Sequence, residues 1–238
     1  MAGARLARHR DDLEPQAPRR GGARQAAGVG RRPPTDEERE RARALRDRRE
    51  REDLAAAARL ARETLLRRAG VAGFADEAKG LRMWRDVGGG CPGFFLYGPP
   101  GTGKTSAAMG AAKAAVLAGS TARVVGEPNL LAELRDAAVA RSGEEDYQLT
   151  RLQRLGLLCL DDLGKGEASP KMFARLFAVV DSRLRAGRPL VCTSNYAPAE
   201  LAARYAAAVG AKDAGPMASR LATLRAVEMS GRDMRLAR

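Results

Sequence analysis

An α/β fold built on a parallel sheet is predicted by three features of the sequence. Apolar runs of strand length recur at 94–97, 122–125, 157–160, 189–193 and 224–229, and stretches of helical character separate them. That alternation is the rhythm of βαβ units, whose strands are covered on both faces and so read as continuous apolar runs. A glycine-rich loop stands between the first of these runs and an Ala-rich segment, as expected of a strand–loop–helix unit. The chain of 238 residues is 45% hydrophobic, enough for a real core and too apolar for disorder throughout. Five parallel strands flanked by helices are therefore expected, with helices at 105–117, 129–140, 171–185 and 199–209.

The elements ahead of the sheet differ in character. Residues 1–34 hold eight Arg against three acids, with Gly21-Gly22, Gly28, Gly30 and Pro33-Pro34 and no apolar periodicity, and are expected to form a disordered basic arm. At Thr35 the pattern changes: Glu38 three positions on makes a capping box, and Gly70 offers a stop, so residues 35–69 form a helical extension, in one piece or two. Its first half is nearly all charged, whereas Leu54, Ala57, Ala58, Ala61 and Leu65 recur at helical spacing. A solvated helix and a projecting partner-binding arm are both consistent with this stretch. Residues 70–238 then make up the α/β domain.

Composition excludes several classes. With 42 Lys+Arg against 29 Asp+Glu the formal charge is +13, compatible with nucleic acid but proving no partner. The arm carries +5 of that excess and the helical extension +2, which leaves +6 on the domain. No run reaches the roughly 18–20 apolar residues of a membrane span, and Asp11, Asp12 and Glu14 stand where a secretory leader would be apolar, so a cytoplasmic protein is expected. Cys91, Cys159 and Cys192 are widely spaced, and His9 is the single histidine, so neither a zinc site nor a disulfide framework is expected.

The loop itself is Gly98-Pro99-Pro100-Gly101-Thr102-Gly103-Lys104-Thr105, a complete G-x-x-x-x-G-K-T sequence. Glycines allow successive backbone N–H groups to curl around phosphates, and the helix N-terminus adds unpaired donors and positive dipole at the same point. In ATP binding Lys104 is expected to reach the β- and γ-phosphates, and the Thr105 hydroxyl to ligate Mg²⁺. The run 157–160 ends in Asp161-Asp162, placing Asp161 as the second Mg²⁺ group and Asp162 as the residue that orients or deprotonates the attacking water. Many ATPases of this kind carry Glu at the second position; Asp162 is one methylene shorter, so slow basal hydrolysis is expected. The run 189–193 ends in Thr193-Ser194-Asn195. With that strand between the loop strand and the acid strand, Asn195 faces the γ-phosphate or the water, a place Thr193 or Ser194 could also fill.

Taken in order, these motifs, the stretch 171–183, Ser219-Arg220-Leu221 and Gly231-Arg232-Asp233-Met234-Arg235 resemble the AAA+ ATPases of the DnaC/DnaI type, the replicative helicase loaders and their phage relatives. The resemblance covers about residues 70–236. Related IstB-like transposition helpers share most of it but more often carry Asp-Arg-Leu and Gly-x-Ser-x-Arg at the last two motifs, so Ser219 and Asp233 favour the loader. The resemblance implies an ATPase that loads a replicative helicase on single-stranded DNA, acting as a homo-oligomer or docked on the helicase ring. The alternatives it leaves are a transposase partner, or an ATP-gated binding module with little turnover. By the same resemblance Arg220 is the arginine finger, Arg235 contacts phosphate in its own subunit, and Arg183 is either functional or structural. Only 18 residues follow Arg220, too few for the usual helical lid, and the small lid domain is expected to be lacking.

Overall fold

The computed structural model describes residues 34–74, 78–140, 143–167, 169–231 and 233. The arm expected at 1–34 lies, except for Pro34, outside them, as does Arg235. The chain divides into two compact units, Met1–Arg49 and Glu50–Arg238. Of the first unit the described part is the beginning of helix α1, Asp36–Arg68, which runs on without a break into the second. Its start is the capping box read in the sequence: Thr35 N–H donates to Glu38 Oε2 (2.7 Å) and Glu38 N–H to Thr35 Oγ1 (3.3 Å). No residue of α1 is fully buried, and Leu66, near its end, packs half-buried against the core.

The residues just after α1 are built into the core of the second unit. Ala69 and Val71 are buried, and the Ala69 carbonyl accepts from Val124 N–H (3.1 Å) on the outer strand of the sheet. Then follow α2 (Ala78–Gly88), β1 (Gly93–Tyr97), α3 (Lys104–Leu117), β2 (Ala122–Gly126), α4 (Glu127–Val139), α5 (Glu144–Arg154), β3 (Leu157–Leu163), α6 (Pro170–Arg185), β4 (Leu190–Ser194), α7 (Pro198–Val209), α8 (Ala211–Leu221) and β5 (Arg225–Glu228). The five strands pair in parallel in the order β2-β3-β4-β1-β5. The strand carrying Asn195 at its end thus lies between the loop strand and the acid strand.

Two apolar layers cover the sheet. On one face Phe94, Leu96, Cys159 and Val191 meet α3, whose Ala107, Ala108, Ala111, Ala112 and Ala115 are all buried. Residues no larger than methyl let that helix lie close, which fixes its N-terminus at the end of β1. On the other face Phe95, Leu158, Leu160 and Cys192 meet α4, α6, α7 and α8. Both sheet cysteines are buried free thiols, raised by burial well above the ordinary thiol range. No described helix is long and apolar enough to cross a membrane.

Arg183 is structural. Its side chain is buried with no carboxylate partner among the described residues: Nη1 donates to the carbonyls of Leu152 (2.8 Å), Gln153 (3.3 Å) and Leu155 (2.8 Å), and Nη2 to Pro189 (2.7 Å). One guanidinium thereby caps the C-terminus of α5 and secures the entry to β4. Burial pushes its pKa down to about 10, and Nε has no partner.

Candidate nucleotide site

The site gathers where β1, β3 and β4 end. Gly98 leaves β1 with φ +134°, and a Cβ there would strike the Met229 carbonyl just past β5. Gly101 has φ +78°, and a Cβ on it would collide with the Asp233 carboxylate, so Asp233 lies directly on the loop. Gly103 is the N-cap of α3 in the left-handed conformation, with no side-chain cap, and it sets the N-terminus of that helix at the end of the loop. Thr102 Oγ1 donates to the Pro99 carbonyl (3.0 Å). Lys104 is buried in the loop it closes, with Nζ donating to the carbonyls of Gly98 (2.8 Å) and Pro99 (2.7 Å). These contacts hold an ammonium at the mouth of a ring of amides, a cradle for a polyphosphate.

The two acids leave the sheet through a bulge. Leu160 pairs with Cys192 and Leu163 with Ser194, so Asp161 and Asp162 together oppose Thr193. Asp162 takes φ +59°, the one non-glycine residue with positive φ among the described residues. Buried Thr193 ties the bulge: its hydroxyl accepts from Asp162 N–H (2.9 Å) and donates to Asp161 Oδ1 (2.5 Å). Thr105 Oγ1 lies 3.0 and 3.1 Å from the two Asp161 oxygens. The hydroxyl and carboxylate form a hard oxygen pair that fits a small divalent cation sharing its remaining positions with phosphate and water. Asp162 Oδ2 is paired with Lys165 Nζ at 2.8 Å.

Of the residues predicted for the site, the structure brings together Gly98 to Thr105, Asp161 and Asp162. Asn195 is half-buried just past β4, with no side-chain hydrogen bond among the described residues, whereas Ser194 is turned inward and donates to the Leu163 carbonyl (2.7 Å). Arg220 is not in contact with this group. It sits at the end of α8, where Nε donates to Asp181 Oδ1 (2.5 Å) on α6, and Arg185 Nε reaches the same carboxylate. These guanidinium groups hold the Asp181 carboxyl below its usual range, Arg220 foremost.

Two residues around the site were missed. Glu127, buried at the start of α4, accepts from Gly164 N–H (2.7 Å) and Gly166 N–H (3.0 Å) through Oε2 and from Tyr205 Oη (2.8 Å) through Oε1. Burial raises its carboxyl pKa, and the backbone and tyrosine donors oppose that rise. In sequence an acid before Pro128 is an ordinary first-turn helix residue, and nothing local marks it as buried. Lys165 equally reads as a turn lysine.

A P-loop at the N-terminus of a helix, an acid strand two places away and an intervening polar strand end define a P-loop nucleotide-binding fold of the AAA+ type. Residues 92–236 match the IstB-like ATP binding protein family, and the chain belongs to it. Over 116 residues it is 30% identical to Rv3427c, an ATP-binding protein in an insertion sequence of Mycobacterium tuberculosis; the match covers 48% of this chain and 44% of that protein, so the chain spans under half the length of this relative. Among solved structures it is similar to DnaI (21% identity, TM-score 0.56, 70% of this chain and 93% of that one). The DnaC helicase loader is also similar (18%, TM-score 0.51, 68% and 97%). So is AMPPCP-bound DnaA from Aquifex aeolicus (19%, TM-score 0.53, 68% and 50%). At these identities the three structures establish the shared fold.

Proposed function

We propose that the chain is an ATP-dependent loader that places a replicative helicase on single-stranded DNA in the cytoplasm. The observation that carries this reading is the seat of Asp233, a member of the Gly-x-Asp-x-Arg pattern that resembles the loaders, against Gly101 of the loop. In this reading the amides of the loop and Lys104 hold the phosphates of ATP, and Thr105 and Asp161 hold Mg²⁺. Bound there, the cation neutralises phosphate charge. Asp162 orients and deprotonates the attacking water, Asn195 hydrogen-bonds the γ-phosphate or that water, and Arg235 contacts phosphate within the subunit. Arg220 acts on the nucleotide of a neighbouring subunit, so turnover depends on assembly into a homo-oligomer or on a helicase ring. Residues 35–69 serve as the helicase-contacting arm. DNA is held mainly through phosphates, because aromatics are only 4% of the chain.

A second reading, an ATP-dependent transposition helper acting with a transposase, is favoured by the family match and the insertion-sequence relative. Co-purification with the host's replicative helicase, with and without ATP, separates the two. ATP-dependent capture of the helicase supports the loader, and capture of a transposase in its place supports the helper.

A further inference from the structure

We propose that Lys165 restrains Asp162: its ammonium occupies the carboxylate oxygen that hydrolysis needs, and ATP turnover proceeds from the state in which the two side chains have parted. This inference rests on the assignment of Asp162 to the attacking water.

The pair itself is close, Nζ to Oδ2 at 2.8 Å, with the Asp162 and Lys165 side chains 34% and 47% exposed. The backbone beneath it is held at both ends. Asp162 N–H is bonded to Thr193 Oγ1, and Lys165 N–H closes a turn onto the Asp162 carbonyl (3.3 Å). On either side of Lys165 the amides of Gly164 and Gly166 are clamped by one oxygen of Glu127, whose other oxygen is held by Tyr205. What remains free to move is side chain alone: one Asp rotamer and the four-carbon stem of Lys165. The ammonium can therefore leave without disturbing the bulge, the metal-side carboxylate of Asp161 or the Thr193 tie.

The restraint acts on a defined step. The water oxygen bonds to the γ-phosphorus, the bond from that phosphorus to the β–γ bridging oxygen breaks with its electron pair going to ADP, and the water proton passes to the Asp162 carboxylate and on to solvent. While Nζ holds Oδ2, that oxygen is not available to take the water proton. The two partly exposed partners set the size of the effect, since such pairs shift an equilibrium by about two- to fivefold.

Turnover by the full chain and affinity for a fluorescent ATP analogue, compared for wild type, Lys165→Ala, Lys165→Arg, Asp162→Asn and the Lys165→Ala/Asp162→Asn double variant, test the proposal. Lys165→Ala should raise kcat about two- to fivefold with KM and analogue affinity unchanged. Lys165→Arg should return kcat to the wild-type value, and the double variant should be as slow as Asp162→Asn. An unchanged or lower kcat in Lys165→Ala, or a gain that survives in the double variant, overturns the restraint. Lys104→Ala separates the two levels. If it turns ATP over as fast as wild type, the assignment of this site to hydrolysis falls. If it is inactive while Lys165→Ala is flat, only the restraint falls.

Discussion

Thr193 contributes one hydroxyl to two acids, and its loss should be felt by both. Thr193→Val keeps the shape but leaves Asp162 N–H without its partner and Asp161 Oδ1 with Thr105 alone, which should cost about 1–3 kcal/mol in urea unfolding. ATP binding in the presence of Mg²⁺ should weaken with it. Arg183 carries a larger share, since its guanidinium meets four carbonyls within the protein. Arg183→Met should cost about 1–3 kcal/mol or more through the buried carbonyls it leaves unsatisfied, and Arg183→Lys should not restore it, because an ammonium cannot span the same fan of acceptors. Glu127 responds to pH in a definite direction. Its folded pKa is raised, so the stability linked to its proton is complete at pH values below the ordinary glutamate range and is lost as pH rises through the folded value. Glu127→Gln, which keeps an acceptor for the glycine amides and never ionises, should flatten that part of the stability–pH curve measured by thermal unfolding. A slope equal to the wild type's would place the titration elsewhere.

At the level of elements, what the sequence made legible was what repeats or what is chemically rare. Strands β1, β3 and β4 were readable as unbroken apolar runs, β2 and β5 as shorter ones interrupted by Arg123 and by Arg225 and Glu228, and the loop–helix unit as glycines followed by Lys104 and Thr105. Helices α2, α5 and α8 were not assigned, each for a physical reason. Helix α2 is short and contains Gly80 and ends at Gly88. Helix α5 is so polar that Leu152 is its one buried residue. Helix α8 runs through Gly215-Pro216, which reads as a breaker in sequence and is tolerated because Ala214, Met217 and Leu221 pack on the core. Within the site, Asp161 and Asp162 were legible as residues, but the bulge was not, because it depends on register with β4. Helix α1 buries no residue. A chain of residues 50–238 should therefore bind ATP with the affinity of the full chain and unfold within about 2 °C of it by calorimetry. Loss of ATP binding on this truncation would show that the first unit supports the fold.

On the scale of the whole molecule, the position of Arg220 away from the loop of its own chain makes assembly the variable to test. Under the proposed action across subunits, mixtures of Arg220→Ala and Lys104→Ala chains should recover part of the turnover that each lacks alone. No recovery at any mixing ratio would count against it. Binding to single-stranded DNA through phosphates should weaken about tenfold or more between 50 and 200 mM salt, as measured by fluorescence anisotropy.

The bulge in β3 sets two demands on the sheet against each other. Removing one residue between Leu160 and Leu163 would let β3 and β4 pair evenly to their ends and relieve the left-handed turn at Asp162. Such a chain would have the more regular ladder, but it would keep one acid where two now leave the strand in different directions. Here the irregular pairing separates the acid beside Thr105 from the acid beside Lys165, and under the roles proposed for the two acids a better-formed sheet would hydrolyse ATP less well.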